Sequence, residues 1–311
     1  MKQLGRRIGL PLILFFLLPV PGLAEPDRKI ALTFDDLPFL GPLGYWRPRE
    51  ISNMILRTLK RQDIPAAGFV VEERIQDDQA TFVILEDWAD AGHIVGNHTF
   101  AHVDLHQLKA NEFLEHVGDG QKYLKLLSRS RRGFNYRYLR FPYLHQGDNE
   151  KKKNRVAKAL YRASYEVAPV TIKTGDRRFN RIFLDVENDD LIRERLKAIY
   201  LAHVGEAVDY GEIQSQAVFG RNIPHILWLH CAIATASFLE DTIQMLQDRG
   251  YSFISMAEAL EDPAFKTPET YAGPLGLSFI DRVAATRGLP YDAGHGVIRV
   301  SQIEDRLQQE P

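Results

Sequence analysis

The sequence predicts an α/β fold, in which a parallel β-sheet is covered by helices. Short apolar runs alternate with segments whose apolar residues recur at helical spacing, between residues 29 and 260. This alternation is typical of parallel sheets, either closed into a barrel or left open. Polar side chains also follow directly after several strand-like runs, at the edge where the carboxyl ends of parallel strands meet.

The first half of the chain contains four predicted strands, each followed by a predicted helix. The strand-like runs cover 29–34, 67–71, 93–96 and 138–141. Helical spacing is found around 51–59, over 81–91, across a long stretch around 105–127, and near 149–162. Strands and helices therefore alternate along this half without interruption.

The second half continues the alternation as far as residue 260. Strand-like runs cover 164–172, 226–229 and 251–254, whereas 186–218 is mainly helical. A further helix is predicted from the apolar face of Leu239, Ile243 and Leu246, and a short element over 255–260 closes the series. Beyond Asp262, frequent proline and glycine predict short elements, so 263–311 is interpreted as an extension packed on the domain.

The N-terminal 24 residues are typical of a targeting segment. Lys2, Arg6 and Arg7 precede an apolar run from residue 8 to 20, and no acidic residue occurs before Glu25. The run is too short to cross a membrane as a helix, and small residues precede Glu25. We therefore expect a signal peptide over 1–24 and a catalytic domain over 25–262. The protein would then be exported, to the periplasm or the medium, without a stable membrane span.

Composition argues against several classes of protein. The 311 residues are 45% hydrophobic and 26% charged with a formal net charge of −2, which does not favour a nucleic-acid partner. Cys231 is the only cysteine, which excludes an internal disulfide and a zinc site built from cysteines. A basic stretch over 129–162 either favours an anionic polymer or forms a solvated helix face.

Two carboxylates, Asp35 and Asp36, stand at the end of the first predicted strand. Adjacent residues of an extended segment point in opposite directions, so the two are expected to have different tasks. One could bind a metal ion while the other stays free as a base. Aspartate is also common in turns, and Pro38 marks a turn here.

Two histidines, His98 and His102, follow the third predicted strand at a spacing of four residues. On a helix this spacing places them about 5–6 Å apart on one face, close enough to share one ion. Two neutral imidazoles and one carboxylate form a catalytic zinc pattern that leaves a coordination position for water. His102 and His106 have the same spacing with Asp104 between them, so the ligand set stays open, and all three histidines could instead be solvated.

Further polar residues follow later strand-like runs. His230 follows the run 226–229, and Arg140 and Asp176 likewise lie at the C-terminal ends of strand-like segments. A lone histidine in such a position is more often a core residue than a catalyst. Taken together, however, the candidates all fall on one edge of the predicted sheet, which favours a shared site.

These motifs resemble those of the polysaccharide deacetylase family, carbohydrate esterase family 4, whose domain is called the NodB-homology domain. The resemblance covers about 29–260 in matching order, and it is carried by TFDDLP at 33–38, HTFAH at 98–102, RFPY at 140–143, Asp176, and LWLH ending at His230. The family implies a distorted (β/α) barrel.

The resemblance also implies roles for individual residues. Asp36, His98 and His102 would bind a divalent metal, with Zn²⁺ expected and Co²⁺ or Ni²⁺ as alternatives. Asp35 would be the catalytic base, paired with Arg140, and His230 would be the general acid, paired with Asp176. The backbone N–H of Tyr143 would help to hold the oxyanion.

Two positions depart from the family pattern. Arg177 stands where the family commonly has tryptophan after the motif aspartate, which weakens the apolar wall beside the sugar. Cys231 and the apolar residues after it replace a more polar segment in the related branch. The cysteine could lie near the metal and react with thiol reagents, or it could be a small buried residue.

The implied activity is that of an exported metal-dependent enzyme, which removes N-acetyl groups from an amino-sugar polymer such as peptidoglycan or poly-N-acetylglucosamine and its chitooligosaccharide relatives. Two alternatives stay open at this point. The same metal site could hydrolyse a smaller amide, an imide or an O-acetyl ester. The chain could also be an inactive homologue that binds glycans, although the complete set of candidate residues speaks against that.

Overall fold

A computed structural model describes residues 28–40, 48–75 and 79–309. The predicted signal peptide therefore lies outside the described residues. No helix among the described residues combines the length and the apolar character that a membrane crossing requires.

Eight strands, all paired in parallel, form one sheet in the described part of the chain. The strands are β1 (Arg28–Leu37), β2 (Ala66–Val70), β3 (Ile94–Asn97), β4 (Tyr138–Leu139), β5 (Glu166–Val167), β6 (Ile172–Lys173), β7 (His225–His230) and β8 (Tyr251–Phe253). Their order is β5-β4-β3-β2-β1-β7-β6, and β8 pairs with the first residues of β1. The predicted parallel sheet is confirmed.

The sheet closes through a short segment between its two edge strands. Residues 168–171 connect β5 on one edge to β6 on the other. The N–H of Ala168 donates to the carbonyl of Leu139 at 2.8 Å, and the N–H of Thr171 donates to the carbonyl of Ile226 at 3.0 Å. The result is the predicted distorted (β/α) barrel. Pro169 has no N–H to donate, which explains why the single strand-like run at 164–172 divides into two short strands.

Helices cover the outside of the barrel. They are α1 (Pro48–Arg61), α2 (Gln79–Asp90), α3 (Ala110–Asp119), α4 (Lys122–Ser130), α5 (Glu150–Arg162), α6 (Asp176–Val186), α7 (Asp190–Phe219), α8 (Ile233–Asp248), α9 (Met256–Ala259), α10 (Phe279–Thr286) and α11 (Val300–Gln308). Most predicted elements are found with bounds that differ by a few residues.

The long helical stretch predicted around 105–127 is mostly helical but is not one continuous helix. The chain forms two helices there, α3 and α4, with Gly120 between them. The chain at Gly120 runs against the backbone of Thr99 and Phe100, so a Cβ would lie 2.7 Å from the carbonyl carbon of Thr99. The N–H of Phe100 donates to the carbonyl of His116 at 2.9 Å. The helical stretch is therefore interrupted at Gly120, where the chain packs against the segment that carries His98 and His102.

Alternation along β1 sorts its side chains between two environments. Ile30, Leu32 and Phe34 belong to the large apolar core beneath the helices. Ala31 packs inside the barrel with Phe69 and its neighbours. Because side chains alternate along a strand, Asp35 shares the inward direction of Ala31. The barrel interior thus becomes polar at its carboxyl end.

The chain beyond residue 262 reaches across that end of the barrel. Helix α10 packs on α7, and α11 packs on both α6 and α7. Glu269 pairs with Lys153 of α5 and with Arg282 of α10. The backbone carbonyls of Tyr143 and Lys173 lie against Gly276 and Gly296, where a side chain would not fit. The division at 262 stays a prediction, since these contacts join the two parts.

A buried glutamate, Glu72, lies next to the segment that carries His98 and His102. The N–H groups of Glu72 and Glu73 donate to the carbonyls of Thr99 and Phe100, at 3.4 and 2.8 Å. The Glu72 side chain accepts from the N–H of Tyr123 at 3.3 Å, but its second oxygen has no hydrogen-bond partner among the described residues. Burial raises the pKa of Glu72 to about 7.

This raised pKa predicts a pH-dependent stability. Unfolded Glu72 releases its proton at lower pH than folded Glu72, so stability is lost as the pH rises from about 4.5 through about 7. We expect Glu72→Gln to raise the free energy of unfolding by about 2–3 kcal/mol at pH 8 and to change it little at pH 4.5. Urea unfolding at both pH values measures this.

Glu73→Gln provides the matched control, because Glu73 is the next residue along the chain and is exposed. Its stability should follow that of the unmodified protein at both pH values. An equal stability change for Glu72→Gln at pH 4.5 and pH 8 would contradict the prediction.

Candidate active site

Six buried polar groups meet at the carboxyl end of the barrel. Asp35 and Asp36 lie in β1, His98 follows β3, Arg140 follows β4, Asp176 begins α6, and His230 ends β7. Each of these residues is at most 5% exposed. The structure therefore brings together residues that are separated by up to 195 positions in the chain.

Asp36 departs from extended geometry, so the expected opposite orientation of the two aspartates is wrong. Its φ is 68°, and the pairing of β1 with β2 shifts register between Phe34 and Leu37. Aspartate tolerates this left-handed conformation better than most residues. Consequently Asp36 lies 3.6 Å from Nε2 of His102, while Asp35 lies 3.5 Å from Nε2 of His98.

The segment carrying the two histidines is a loop, which corrects the expectation of a shared helical face. Thr99 and His102 have positive φ angles of 69° and 51°. The side chain of Asn97 accepts from the N–H of Thr99 at 2.7 Å and holds the first turn of this loop. The imidazole rings of His98 and His102 nevertheless lie 4.9 Å apart between centroids. Backbone turns therefore supply the proximity that a helix was expected to give.

Asp36, His98 and His102 form a group that could hold a metal ion, with ligand atoms all within 4.8 Å of one another. Nδ1 of His98 lies 2.8 Å from the carbonyl of Arg140, which can only accept, so Nε2 keeps its lone pair. This Nε2 and both carboxylate oxygens of Asp36 are buried without a hydrogen bond among the described residues, although Oδ1 of Asp36 forms an ion pair with Arg74. One carboxylate and two imidazoles with unused lone pairs fit a divalent metal ion.

The protonation states of this group also suit metal binding. Burial lowers the pKa of His98 to about 4 and the pKa of His102 to about 3. Burial acts to raise the pKa of Asp36, but the charge of Arg74, with contributions from the nearby histidines in their protonated forms, outweighs it and holds that pKa well below its ordinary value. At neutral pH the histidines are therefore neutral and the aspartate is ionised.

Arg74 is a residue of the site that sequence reasoning missed. It lies in a 3₁₀ turn, Glu72–Ile75, with Nη1 2.9 Å from Oδ1 of Asp36. The same nitrogen donates to the carbonyl of Phe39 at 3.0 Å. No sequence signal marks it, because it belongs to an irregular turn without a motif.

Asp35 is held by two donors. Nη1 of Arg140 donates to Oδ1 at 3.2 Å, and the indole N–H of Trp228 donates to Oδ2 at 2.6 Å. Burial raises the pKa of Asp35 above its ordinary value even though the charge of Arg140 acts against it. Trp228 could have been found from sequence, since it lies two residues before His230 on the same face of β7.

His230 and Asp176 form a second buried pair. Nδ1 of His230 lies 2.7 Å from Oδ1 of Asp176, and the N–H of His230 donates to Oδ2 at 2.7 Å. The hydroxyl of Thr235 also donates to Oδ2, at 2.8 Å. Burial acts to lower the pKa of His230, but the carboxylate of Asp176 outweighs it and raises that pKa above its ordinary value. His230 therefore keeps its proton to a higher pH than a free imidazole.

Tyr143 lies at the rim of the site on a tight turn. Tyr143 and Leu144 both have positive φ, 57° and 58°. The Tyr143 ring lies 4.8 Å from that of His102 between centroids and is 43% exposed. Together with Trp228 and His230, these two rings line a cavity of about 510 Å³. Gly296, Val297 and Ile298 of the C-terminal part line the same cavity.

The alternative ligand set with His106 is not assembled. His106 lies with Asp104 and His145 in a separate group, apart from His102. The rings of His106 and His145 are stacked, 3.8 Å apart and 7° from parallel. Lone pairs of imidazole nitrogens lie in the ring planes, and those of two parallel rings do not meet at one point. Stacking therefore makes this second group a poor metal site.

Cys231 is a buried free cysteine. It is 0% exposed, and its sulfur lies 3.3 Å from the carbonyl of Pro38. Burial raises the pKa of its thiol far above the ordinary value, so little thiolate forms. The structure thus favours the small buried residue over the reactive thiol.

Comparison with known proteins agrees with these motifs. Residues 23–164 match the family model described as "Polysaccharide deacetylase". A peptidoglycan-N-acetylglucosamine deacetylase from Bacillus cereus is 29% identical over 115 residues, which is 37% of this chain and 36% of that protein. A chitin deacetylase from Colletotrichum lindemuthianum is 25% identical over 241 residues, or 75% of this chain and 79% of that protein. The match thus spans about a third of the bacterial relative's length.

Solved structures share the fold. The solved structure of that chitin deacetylase superposes with a TM-score of 0.51 at 21% identity, covering 76% of this chain and 89% of the other. A mutant of a CE4 family pseudoenzyme from Bacillus anthracis, with restored enzymatic activity, gives 0.50 at 18% identity, covering 76% and 68%. At these identities the likeness establishes the barrel alone.

The lowered pKa values predict how metal binding depends on pH. Protons compete with a metal ion only below the pKa of the histidines, about 4 and about 3. We expect the protein to retain one zinc ion per chain on dialysis down to about pH 5, and to release it below about pH 4. Metal analysis after dialysis at each pH measures this.

His102→Gln and His106→Gln form the matched pair for this experiment. His102→Gln should lose the zinc at neutral pH, whereas His106→Gln should keep it. Loss of zinc from the His106 variant alone would show that the ligand set is misassigned.

Proposed function

Because this chain belongs to the polysaccharide deacetylase family, carbohydrate esterase family 4, we propose that it is an exported, metal-dependent enzyme that removes N-acetyl groups from an amino-sugar polymer. One observation carries the proposal. The group of Asp36, His98 and His102 adjoins two separate buried pairs, Asp35 with Arg140 and His230 with Asp176. One pair suits proton abstraction and the other suits proton donation.

Asp36, His98 and His102 would hold the metal, for which Zn²⁺ is the expected ion and Co²⁺ or Ni²⁺ are alternatives. When bound, a divalent ion lowers the pKa of water and polarises a carbonyl oxygen. The orphaned lone pairs of Asp36 and His98 support this assignment. Arg74 positions Asp36 and balances its charge.

Asp35 would act as the base. It accepts a proton from the water molecule that attacks the carbonyl carbon of the acetamide. Its raised pKa makes it a stronger base than an ordinary carboxylate, while Arg140 and Trp228 fix its direction. Without these two donors the carboxylate could rotate away from the water.

His230 would act as the acid. The carbon–nitrogen bond breaks as His230 delivers a proton to the departing nitrogen, and the products are acetate and a free amine. Amines leave poorly without a proton, and Asp176 keeps His230 protonated. The backbone N–H of Tyr143, on its tight turn, would donate to the oxyanion in the transition state.

The substrate is expected to be peptidoglycan or a polymer of N-acetylglucosamine. A smaller amide, an imide or an O-acetyl ester stays the second candidate, because residues 296–298 wall one side of the cavity. Acetate release by the protein from residue 25 onward, with and without chelator and added zinc, tests the reaction. Chitooligosaccharides, purified peptidoglycan and small acetamides are the substrates.

If Asp35 is the base and not a metal ligand, its substitution should lower activity without lowering the amount of bound metal. We expect Asp35→Asn to lower kcat by about 10²–10⁴-fold with zinc still bound, because it removes the base and not a ligand. Asp36→Ala should lose zinc and activity together. Near-normal turnover by Asp35→Asn, with zinc present, would show that another group is the base.

The acid assignment predicts a dependence on the leaving group. His230→Ala should lower turnover of an acetamide by about 10²–10⁴-fold. It should affect an activated acetyl ester much less, because a phenolate-type leaving group needs no proton. Equal losses on the amide and on the ester would contradict the assignment.

A further inference from the structure

We infer that the active-site cavity has a cationic wall, formed by Arg177, Arg178 and Arg181 of α6, that binds a carboxylate on the substrate glycan. The inference rests on the proposed function, since it names the class of glycan that the same cavity accepts. An acidic N-acetylated glycan would then be preferred over a neutral one.

The charge of the cavity wall is the first observation. Arg177, Arg178 and Arg181 line the cavity together with Lys173, and no aspartate or glutamate of the described residues lines it. This stands out because the whole chain carries a formal net charge of −2. The buried carboxylates beneath the cavity are already paired, and Asp176 accepts from His230 and Thr235. A bound anion would therefore meet cations without facing an acidic side chain.

The second observation is that the guanidinium groups of these arginines form no ion pair or hydrogen bond within the described part of the chain. Other arginines pair with carboxylates, as Arg131 does with Asp90 and Arg221 does with Asp262. The guanidinium groups of the three cavity arginines have no carboxylate within 4.0 Å and no hydrogen bond among the residues that the structure describes. Asp185, one turn beyond Arg181, does not pair with it either. Their donors remain available to a ligand.

The placement of the three residues makes them one surface. Arg177 and Arg181 are four residues apart on α6, and Arg178 is three residues from Arg181, so their side chains project from neighbouring positions of one helix face. The helix begins at Asp176, the partner of His230. Arg181 is five residues from that start, about 8 Å along the helix axis. A carboxylate bound there would lie close to the acetamide under attack.

The residue types favour a carboxylate. A guanidinium presents a planar fork of donors that matches a carboxylate with two parallel hydrogen bonds. Two sources of carboxylate fit this chemistry, namely a lactyl ether on the acetylated sugar and a uronic acid next to it.

The first experiment compares glycans of matched length in the zinc-loaded protein. The neutral substrate is a chitooligosaccharide. The acidic substrates are a peptide-free glycan that carries lactyl carboxylates and a hyaluronan oligosaccharide that carries glucuronate. We expect kcat/KM to be about tenfold higher for one acidic glycan than for the neutral one, through KM, and to fall towards the neutral value as salt is raised. The preferred glycan identifies the source of the carboxylate.

Variants assign the preference to the cationic wall. Arg177→Gln combined with Arg181→Gln should lower the ratio of acidic to neutral kcat/KM to about one. Arg155→Gln is the matched control, because Arg155 is an exposed arginine of α5 outside the cavity lining, and it should keep the ratio of the unmodified protein. If the double variant does not fold, as judged by thermal unfolding, Arg178→Gln alone should lower the ratio in the same direction.

The two proposals fail in different ways. Equal kcat/KM for acidic and neutral glycans, or a preference that survives in the arginine variants, overturns the cationic wall while acetate release still supports the proposed function. Absence of acetate from every substrate, with zinc bound, overturns the proposed function. In that case calorimetric binding of the same glycans tests the wall directly, and equal binding of acidic and neutral glycans overturns it.

Discussion

The structure depends on one buried guanidinium, that of Arg140. From the end of β4 it crosses the barrel, where it donates to the carbonyl of Ala168 at 2.9 Å, to Thr33 at 3.1 Å and to Asp35 at 3.2 Å. A buried charge is tolerated only where such partners replace water, and breaking a buried pair costs about 3–5 kcal/mol. The same side chain therefore fixes the closing segment of the barrel and the direction of the candidate base.

Around this guanidinium, burial sets the ionisation of the site. Neutral His98 and His102 face an ionised Asp36, while His230 keeps its proton because Asp176 lies beside it. Neutral and protonated histidines thus occur together at one end of the barrel, because each has different neighbouring groups. The C-terminal part lines one side of the mouth, where the backbone carbonyls of Tyr143 and Lys173 leave no room for a side chain at Gly276 or Gly296.

Much of the fold and of the candidate site could be predicted from the sequence. Strand and helix periodicity identified most elements, because burial on one face repeats every two or about 3.6 residues. The catalytic and metal-binding candidates were found because each follows a strand, and parallel strands bring their carboxyl ends to one edge. The division of the helical stretch around 105–127 into α3 and α4 was not predicted, because its apolar spacing gave no sign that the histidine loop packs against Gly120.

The sequence by itself therefore determined the class of fold, the edge that carries the polar groups, and the residue types available for chemistry. Tertiary structure alone decided the left-handed turn at Asp36, the recruitment of Arg74, and the separation of His106 from His102. It also decided that three arginines of α6 face the cavity. The physical reason is that periodicity records only which face of an element is buried, whereas these features depend on contacts between segments far apart in the chain.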